Sequence, residues 1–137
     1  MEIEPYINTS LEEYNDILIY KIVVVNVKLT QLKWIDTINR IKKDLDVLKK
    51  KDKIFAIYID CKYMEIISNG QIKEIVNVFT ENRVLFEKNL LCTECFVEGI
   101  IVNVFKDVFN KIYNPIRPIK FIKTNELDYS FIEENIK

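Results

Sequence analysis

The sequence IFAIYID at residues 54–60 begins the part of the chain that decides the fold. This short apolar run is followed by an amphipathic segment at about 69–88. A second apolar run lies at 91–97, a second amphipathic segment at 100–113, and a third short run at 119–122. Strands that alternate with amphipathic helices predict a parallel sheet covered by helices.

The first of these runs, extended to residues 53–60, has two apolar faces. On one face we expect Phe55, Ile57 and Ile59, and on the other Ile54, Ala56 and Tyr58. A strand of this kind belongs in the interior of a sheet that is covered on both sides. Asp60 is the last residue of this strand and lies at the carboxyl edge of the predicted sheet, where functional residues of α/β proteins are often found. The more common role for an acid at this position is to accept hydrogen bonds from loop amides.

The N-terminal part of the chain predicts an antiparallel hairpin followed by a long helix. A short strand at 3–8 and a β-branched strand at 17–29 are joined through Asn15 and Asp16, which favour tight turns. The capping-box spacing of residues 10–13 favours a brief helical turn before them. Thr30 is expected to cap a helix that reaches residue 50.

Trp34 begins the apolar stripe of this predicted helix. The stripe continues through Ile38, Ile41, Leu45 and Leu48 in steps of three and four residues. Because Trp34 is in phase with the stripe, we interpret it as a core anchor rather than as a ligand platform. Two further helices are expected, one from a cap at Ser68 or Asn69 to about residue 88 and a last short one capped by Asn125 that contains Leu127, Phe131 and Ile132.

Length and composition indicate one globular domain over residues 1–137. Hydrophobic residues make up 49% and charged residues 30%, with a net charge of −1, so no general attraction for nucleic acid or acidic membranes is expected. We predict neither a secretory signal nor a transmembrane segment, and therefore a cytoplasmic or host-cell intracellular, or virion-associated, protein. Abundant Ile, Asn and Lys indicate an AT-rich genome, as in certain protists, low-GC bacteria or large DNA viruses.

The residue types argue against an enzyme. The absence of histidine excludes imidazole catalysis, and Gly70 and Gly99 are too few for a phosphate-binding glycine loop. Cys92 and Cys95 form a CxxC motif, but residues three apart on a strand point to opposite faces. We expect these cysteines to be buried, and we predict no catalytic residue, cofactor or metal. A redox enzyme that uses the CxxC motif is kept as a hypothesis, ranked below the two non-enzymatic functions given at the end of this subsection.

Three segments of the chain resemble the STAS superfamily, the sulfate-transporter and anti-sigma-factor-antagonist fold, and within it the bacterial antagonist-like relatives. Residues 55–60 resemble the central strand with its acidic end, and loop 61–70 resembles the segment before the regulatory helix. Residues 104–121 resemble the penultimate helix, a proline-marked turn and the final strand. The resemblance covers nearly the whole chain and implies an α/β domain with a mixed sheet of about five strands, an N-terminal hairpin and about four helices.

The phosphorylation box of the antagonists is altered in this sequence. Its positions fall on residues 68–71, and the switch position falls on Gly70, which has no hydroxyl. Ser68 carries the nearest hydroxyl, and as a helix N-cap this group would be occupied by backbone amides. We therefore interpret Ser68 as a structural cap rather than as a phosphorylation site.

The resemblance implies a non-catalytic interaction module that binds a protein partner or an apolar small molecule through loop 61–70 and helix 100–113. The residues assigned to this surface are Ser68, Asn69, Gly70, Val102, Phe109 and Tyr113. Because helix 100–113 is apolar on more sides than one core uses, we expect it to contact a second protomer or another protein, unless residues 1–14 cover it. The alternative is a structural or assembly protein, such as a virion component of a large DNA virus.

Overall fold

The computed structural model describes residues 5–25, 28–64, 68–97 and 117–136. The strands and helices in these ranges are β1 (Ile7–Tyr14), β2 (Ile17–Val24), α1 (Gln31–Lys51), β3 (Phe55–Asp60), α2 (Asn69–Glu81), α3 (Arg83–Asn89), β4 (Leu90–Phe96), β5 (Ile119–Ile122) and α4 (Tyr129–Ile136). The predicted helix 100–113 lies outside the described residues.

The strands form one sheet in the order β1-β2-β3-β4-β5. β1 runs antiparallel to β2, whereas β2, β3, β4 and β5 are parallel to one another. Parallel neighbours need crossover connections, and α1 supplies the connection from β2 to β3 while α2 and α3 supply that from β3 to β4. The predicted mixed sheet, its N-terminal hairpin and the interior position of β3 are thus confirmed.

A hydrophobic core lies on each face of the sheet. On the first, called the α1 face, Phe55, Ile57 and Ile59 of β3 pack with apolar residues of α1, α2 and α3. On the second, called the α4 face, Ala56 and Tyr58 of β3 belong to a cluster that includes α4. The predicted alternation is confirmed for these five residues. Ile54 is an exception, with 43% of its surface exposed, because β3 begins only at Phe55.

The N-terminal hairpin differs from its prediction in extent. β1 continues through residues 10–13, so the expected helical turn is wrong there, and β2 ends at Val24 rather than at residue 29. Asn15 and Asp16 have φ values of 47° and 66°. A two-residue type I′ turn requires positive φ at both central residues, and its twist matches that of the paired strands. The turn therefore pairs residues 10–13 with β2. The backbone groups of these residues form antiparallel strand hydrogen bonds instead of the helical ones that the sequence predicts.

The helix ends show where side chains bond to the backbone. Thr30 caps α1 as predicted, since its Oγ1 accepts the Lys33 N–H at 3.2 Å. The helix predicted to be continuous to about residue 88 is instead divided at Asn82, whose side-chain amide donates to the Val78 carbonyl at 2.8 Å. None of the helices in the described ranges is both long enough and apolar enough to span a bilayer.

The last helix begins later than its prediction. Asp128, not Asn125, provides the cap, because its Oδ1 accepts the Ser130 N–H at 3.0 Å, and Leu127 precedes the helix. α4 then crosses the α4 face to the hairpin. There the Tyr129 hydroxyl donates to Glu12 Oε1 at 2.9 Å, and the Tyr14 hydroxyl donates to Glu133 Oε1 in α4. The last described element is thereby fastened to the first.

Candidate functional site

An apolar pocket of about 60 Å³ lies between the α1 face of the sheet and helices α1 and α2. The sheet contributes Val24 and Ile59 to its wall, α1 contributes Trp34, and α2 contributes Ile75 and Phe79. Among the described residues the lining contains no charged side chain. The surface of this space is therefore apolar, as the walls of small-molecule pockets predominantly are.

The pocket occupies the carboxyl ends of two parallel strands. Val24 is the last residue of β2, Ile59 lies near the end of β3, and Cys61 follows β3 directly. The first turns of α1 cover this edge, since Trp34 and Thr37 also line the pocket. In open α/β sheets, ligands bind outside the carboxyl ends of the strands. The pocket thus lies where this architecture places binding sites.

The half-buried residues of the lining lie on α1, on α2 and at Met64, and this side of the pocket is called its mouth. Ile41, Met64, Ile75 and Phe79 are only partly buried. Trp34, by contrast, is only 2% exposed. The pocket is smaller than the cavity of roughly 150 Å³ that accommodates benzene in an engineered protein core. A compact apolar group fits inside, and a longer molecule would extend through the mouth.

Trp34 gives the pocket wall an aromatic surface. Among the described residues its indole Nε1 has no hydrogen-bond partner. The Thr37 hydroxyl, one turn further along α1, donates to the Lys33 carbonyl at 2.8 Å. The interpretation of Trp34 as a core anchor is confirmed by its burial. Its place in a pocket wall was missed, because helical periodicity identifies a buried stripe but not gaps in the packing beneath it.

The cysteines of the CxxC motif lie on opposite faces of β4, as the strand geometry predicts. Cys95 belongs to the core on the α1 face and Cys92 to the core on the α4 face. Burial raises the pKa of the Cys92 thiol to about 12. The neighbouring Cys95 thiol, together with burial, raises the pKa of the Cys61 thiol well above its ordinary value. Buried thiols that stay protonated are poor nucleophiles.

Asp60 lies at the end of β3 but bonds its own loop. The side chain is 8% exposed, and its Oδ1 accepts the Lys62 N–H at 3.0 Å. Strand alternation places it on the face opposite to that of Ile59, which lines the pocket. This is the ordinary loop-bonding role that the sequence favours for such an acid.

Ser68 caps α2 through a reciprocal pair of hydrogen bonds. Its Oγ accepts the Gln71 N–H at 3.2 Å, and Gln71 Oε1 accepts the Ser68 N–H at 2.9 Å. This capping box satisfies two amides at the start of the helix. The predicted structural role of Ser68 is confirmed.

A similarity to one solved structure identifies the fold of this chain. A crystal structure of an uncharacterized protein from the DUF3478 family with a SpoIIAA-like fold, from Shewanella loihica PV-4, matches this chain with a TM-score of 0.60. The match covers 90% of this chain and 91% of that chain at 14% identity. The chain has the SpoIIAA-like fold, which is the STAS fold. No family model matches the sequence, and no curated protein matches it.

Only some of the predicted binding residues lie within the described part of the chain. Ser68, Asn69 and Gly70 are exposed at the start of α2 and do not line the pocket. Loop 61–70 nevertheless reaches the pocket through Cys61 and Met64. The other assigned residues, Val102, Phe109 and Tyr113, lie outside the described residues. A partner-binding role for either group stays a prediction.

Proposed function

We propose that this chain is a non-catalytic STAS-like binding module that takes an uncharged apolar molecule into the pocket beneath α1 and α2. The observation that carries this proposal is the position of an apolar pocket at the carboxyl ends of β2 and β3. The protonated, buried state of Cys61 and Cys92 supports binding rather than chemistry.

The test uses Trp34 as a built-in reporter, because it is the only tryptophan of the chain. Titration with n-heptane or cyclopentane is expected to change its fluorescence and to raise the melting temperature, as any ligand of the native state does. Ile75→Phe narrows the pocket mouth and should weaken binding at least about 5-fold. Ile72→Phe is the matched control, since Ile72 lies on the same helix without lining the pocket.

Two results would count against the pocket as a ligand site. The first is a wild-type protein whose fluorescence and melting temperature are unchanged up to the solubility limit of both hydrocarbons. The second is equal loss of binding in Ile75→Phe and Ile72→Phe, which would place the hydrocarbon elsewhere on α2.

A protein partner that contacts the start of α2 is the second candidate. The exposed residues 68–70, together with a 49% exposed Tyr63 near the pocket mouth, favour it. A pull-down with Asn69→Arg is expected to lose the partner, whereas Asn77→Arg, an equally exposed asparagine further along α2, is expected to retain it. Equal recovery with both variants would contradict a contact at the helix start.

A further inference from the structure

We infer that the amino ends of β3, β4 and β5 form a surface that contacts an anionic phospholipid membrane. This surface, called the basic edge, lies at the end of the sheet opposite to the pocket, so the inference is independent of the proposed function. Its basic residues come from three segments that are distant in sequence: Lys49, Lys50, Lys51, Lys53, Arg83, Lys88 and Arg117. The net charge of −1 for the whole chain conceals this local concentration.

Side-chain contacts bring the three segments together at one end of the sheet. The Lys88 Nζ lies 3.0 Å from Asp52 Oδ1, so the end of α1 adjoins the start of β4. Arg117, just before β5, donates to the Glu87 and Leu90 carbonyls at 2.8 and 3.1 Å. Because both acceptors are neutral carbonyls, they fix the position of the Arg117 guanidinium without neutralising its charge.

Four lysines of the basic edge carry free charge. All four are exposed, and within the described ranges none of them forms an ion pair: Lys49, Lys50, Lys51 and Lys53. The exposed acids that border the edge are likewise not in ion-pair contact with these lysines: Asp16, Asp46 and Glu81. The C-terminus of α1 carries only about half a negative elementary charge, so the helix dipole offsets a small part of the four positive charges. Clusters of about four to eight Lys and Arg residues are typical of sites that bind anionic lipid headgroups.

Aliphatic side chains exposed among the lysines favour a membrane over a nucleic acid. Val47, Ile54 and Val84 are 39%, 43% and 77% exposed. Val47 and Val84 each lie one helical turn before a lysine, and Ile54 directly follows one. On a membrane, these side chains can enter the headgroup region while the lysines contact the anionic headgroups. Within residues 47–54, 83–90 and 117–118 no aromatic side chain is exposed, so the edge offers no platform for base stacking.

The experiment measures sedimentation of the protein with vesicles of phosphatidylcholine alone and with vesicles that also contain phosphatidylserine. The wild type is expected to bind only the mixed vesicles and to lose most of this binding as added salt screens the charges. Lys50→Gln combined with Lys51→Gln should weaken the binding at least about 10-fold. Lys42→Gln combined with Lys43→Gln, at exposed positions of the same helix, is the matched control and should stay within about 2-fold of the wild type.

A second pair of variants tests the aliphatic side chains. Ile54→Gln should weaken vesicle binding by about 3-fold, because less apolar surface leaves water on the membrane. Ile35→Gln should leave binding unchanged, since Ile35 is similarly exposed, at 47%, but lies near the start of α1, at the other end of the sheet. Melting temperatures of all the variants establish that each is folded in the assay.

The inference is wrong if the wild type does not bind the mixed vesicles at low salt, or if the two lysine double variants lose binding equally. It is also wrong if an oligonucleotide, followed by fluorescence anisotropy, binds more tightly than the vesicles do and is insensitive to Ile54→Gln. That result would make the basic edge a nucleic-acid surface. Because none of the substituted residues lines the pocket, failure of this inference leaves the proposed function standing.

Discussion

Glu94 is an acid that the fold buries almost completely. It is 1% exposed, and its Oε1 accepts the Asp128 N–H at 2.7 Å. Among the described residues its Oε2 has no hydrogen-bond partner. The neighbouring strands place Tyr58 and Lys120 beside it in register. Burial is the main cause that raises the pKa of Glu94 to about 7.

This shift makes stability depend on pH through one residue. A glutamate in the unfolded chain has a pKa near roughly 4.3, so the folded state holds the proton more tightly. The contribution of Glu94 to stability is therefore full below the unfolded pKa and is lost as pH rises to about 7. With screening by nearby solvent, we expect Glu94→Gln to gain on the order of 2 kcal/mol over the wild type between acid and neutral pH.

Urea unfolding of both proteins from about pH 5 to pH 8 measures this difference. Glu13→Gln, at an exposed position of β1, is the control and should follow the wild type. A constant difference between Glu94→Gln and the wild type at every pH would show that Glu94 does not change its protonation on folding.

Ser68 offers a test of the altered phosphorylation box. Ser68→Ala removes the acceptor of the Gln71 N–H and should cost on the order of 1 kcal/mol in the free energy of unfolding, with partner binding unchanged. Unchanged stability combined with lost binding or a lost phosphorylation signal would restore the antagonist-type switch.

Replacing Gly70, two residues further on, with alanine should increase stability, whereas Ser68→Ala should decrease it. A Cβ added there would lie 3.9 Å from Ser68 Oγ, which is an ordinary contact. Because alanine loses less backbone entropy in a helix than glycine does, Gly70→Ala should stabilise the protein by about 0.5–1 kcal/mol. Urea unfolding checks this value, and destabilisation by Gly70→Ala would mean that another group needs the space beside residue 70.

Single residues could be predicted wherever one local pattern decides them. Thr30 and Ser68 were identified as caps because each precedes an amphipathic segment. Asp128 was missed because Asn125 has the same capping chemistry. Glu94 lies in an apolar run, and its burial depends on segments distant in sequence. The sequence of residues 91–97 alone therefore does not predict that Glu94 is buried.

The hairpin turn is the element most open to test. Asp16 has a φ of 66°, which glycine adopts freely and β-branched residues avoid. Asp16→Gly is expected to stabilise the hairpin by several tenths of a kcal/mol, whereas Asp16→Val should cost about 1–2 kcal/mol. Equilibrium unfolding of the two variants measures both effects. Equal stability of the two would contradict a type I′ turn in solution.

The types of the elements followed from hydrophobic periodicity, but their limits did not. β5 lies at the predicted residues 119–122, since Pro118 and the polar residues after Ile122 bound it on both sides. The division at Asn82 and the length of β1 depend on a side-chain hydrogen bond and on strand pairing, respectively. Neither the division of the helix nor the length of β1 changes the hydrophobic periodicity, so periodicity alone predicts neither of them.

At the scale of the whole molecule, the predicted apolar helix 100–113 bears on association. We expect the wild type to self-associate or to bind another protein through it, and Phe109→Glu to abolish this contact. Sedimentation velocity measures the change, with Val84→Glu as the control because Val84 is 77% exposed in α3. A strictly monomeric wild type with a Phe109→Glu variant that merely unfolds would make Phe109 a core residue.

The arrangement of strands was predictable from the sequence, whereas the pocket was not. Alternating apolar runs and amphipathic segments indicate a parallel sheet, and the order of elements follows from short connections. The pocket exists because β2, β3, α1 and α2 fail to fill the space between Val24, Trp34 and Phe79 completely. Such a gap depends on how four elements pack together, and the sequence of any single element does not predict it.

The contact of α4 with the hairpin has a consequence for synthesis on the ribosome. Because β1 to β5 are neighbours in the order in which they are made, each new strand can join an edge that already exists. The bonds from Tyr14 and Tyr129 join residues 119 and 117 positions apart, so they form only after residues 133 and 129, respectively, have been synthesised. Until then Ile17 and Ile19 lack the cover of Ile132. A nascent chain, or one that stops before residue 129, therefore presents an apolar surface to chaperones.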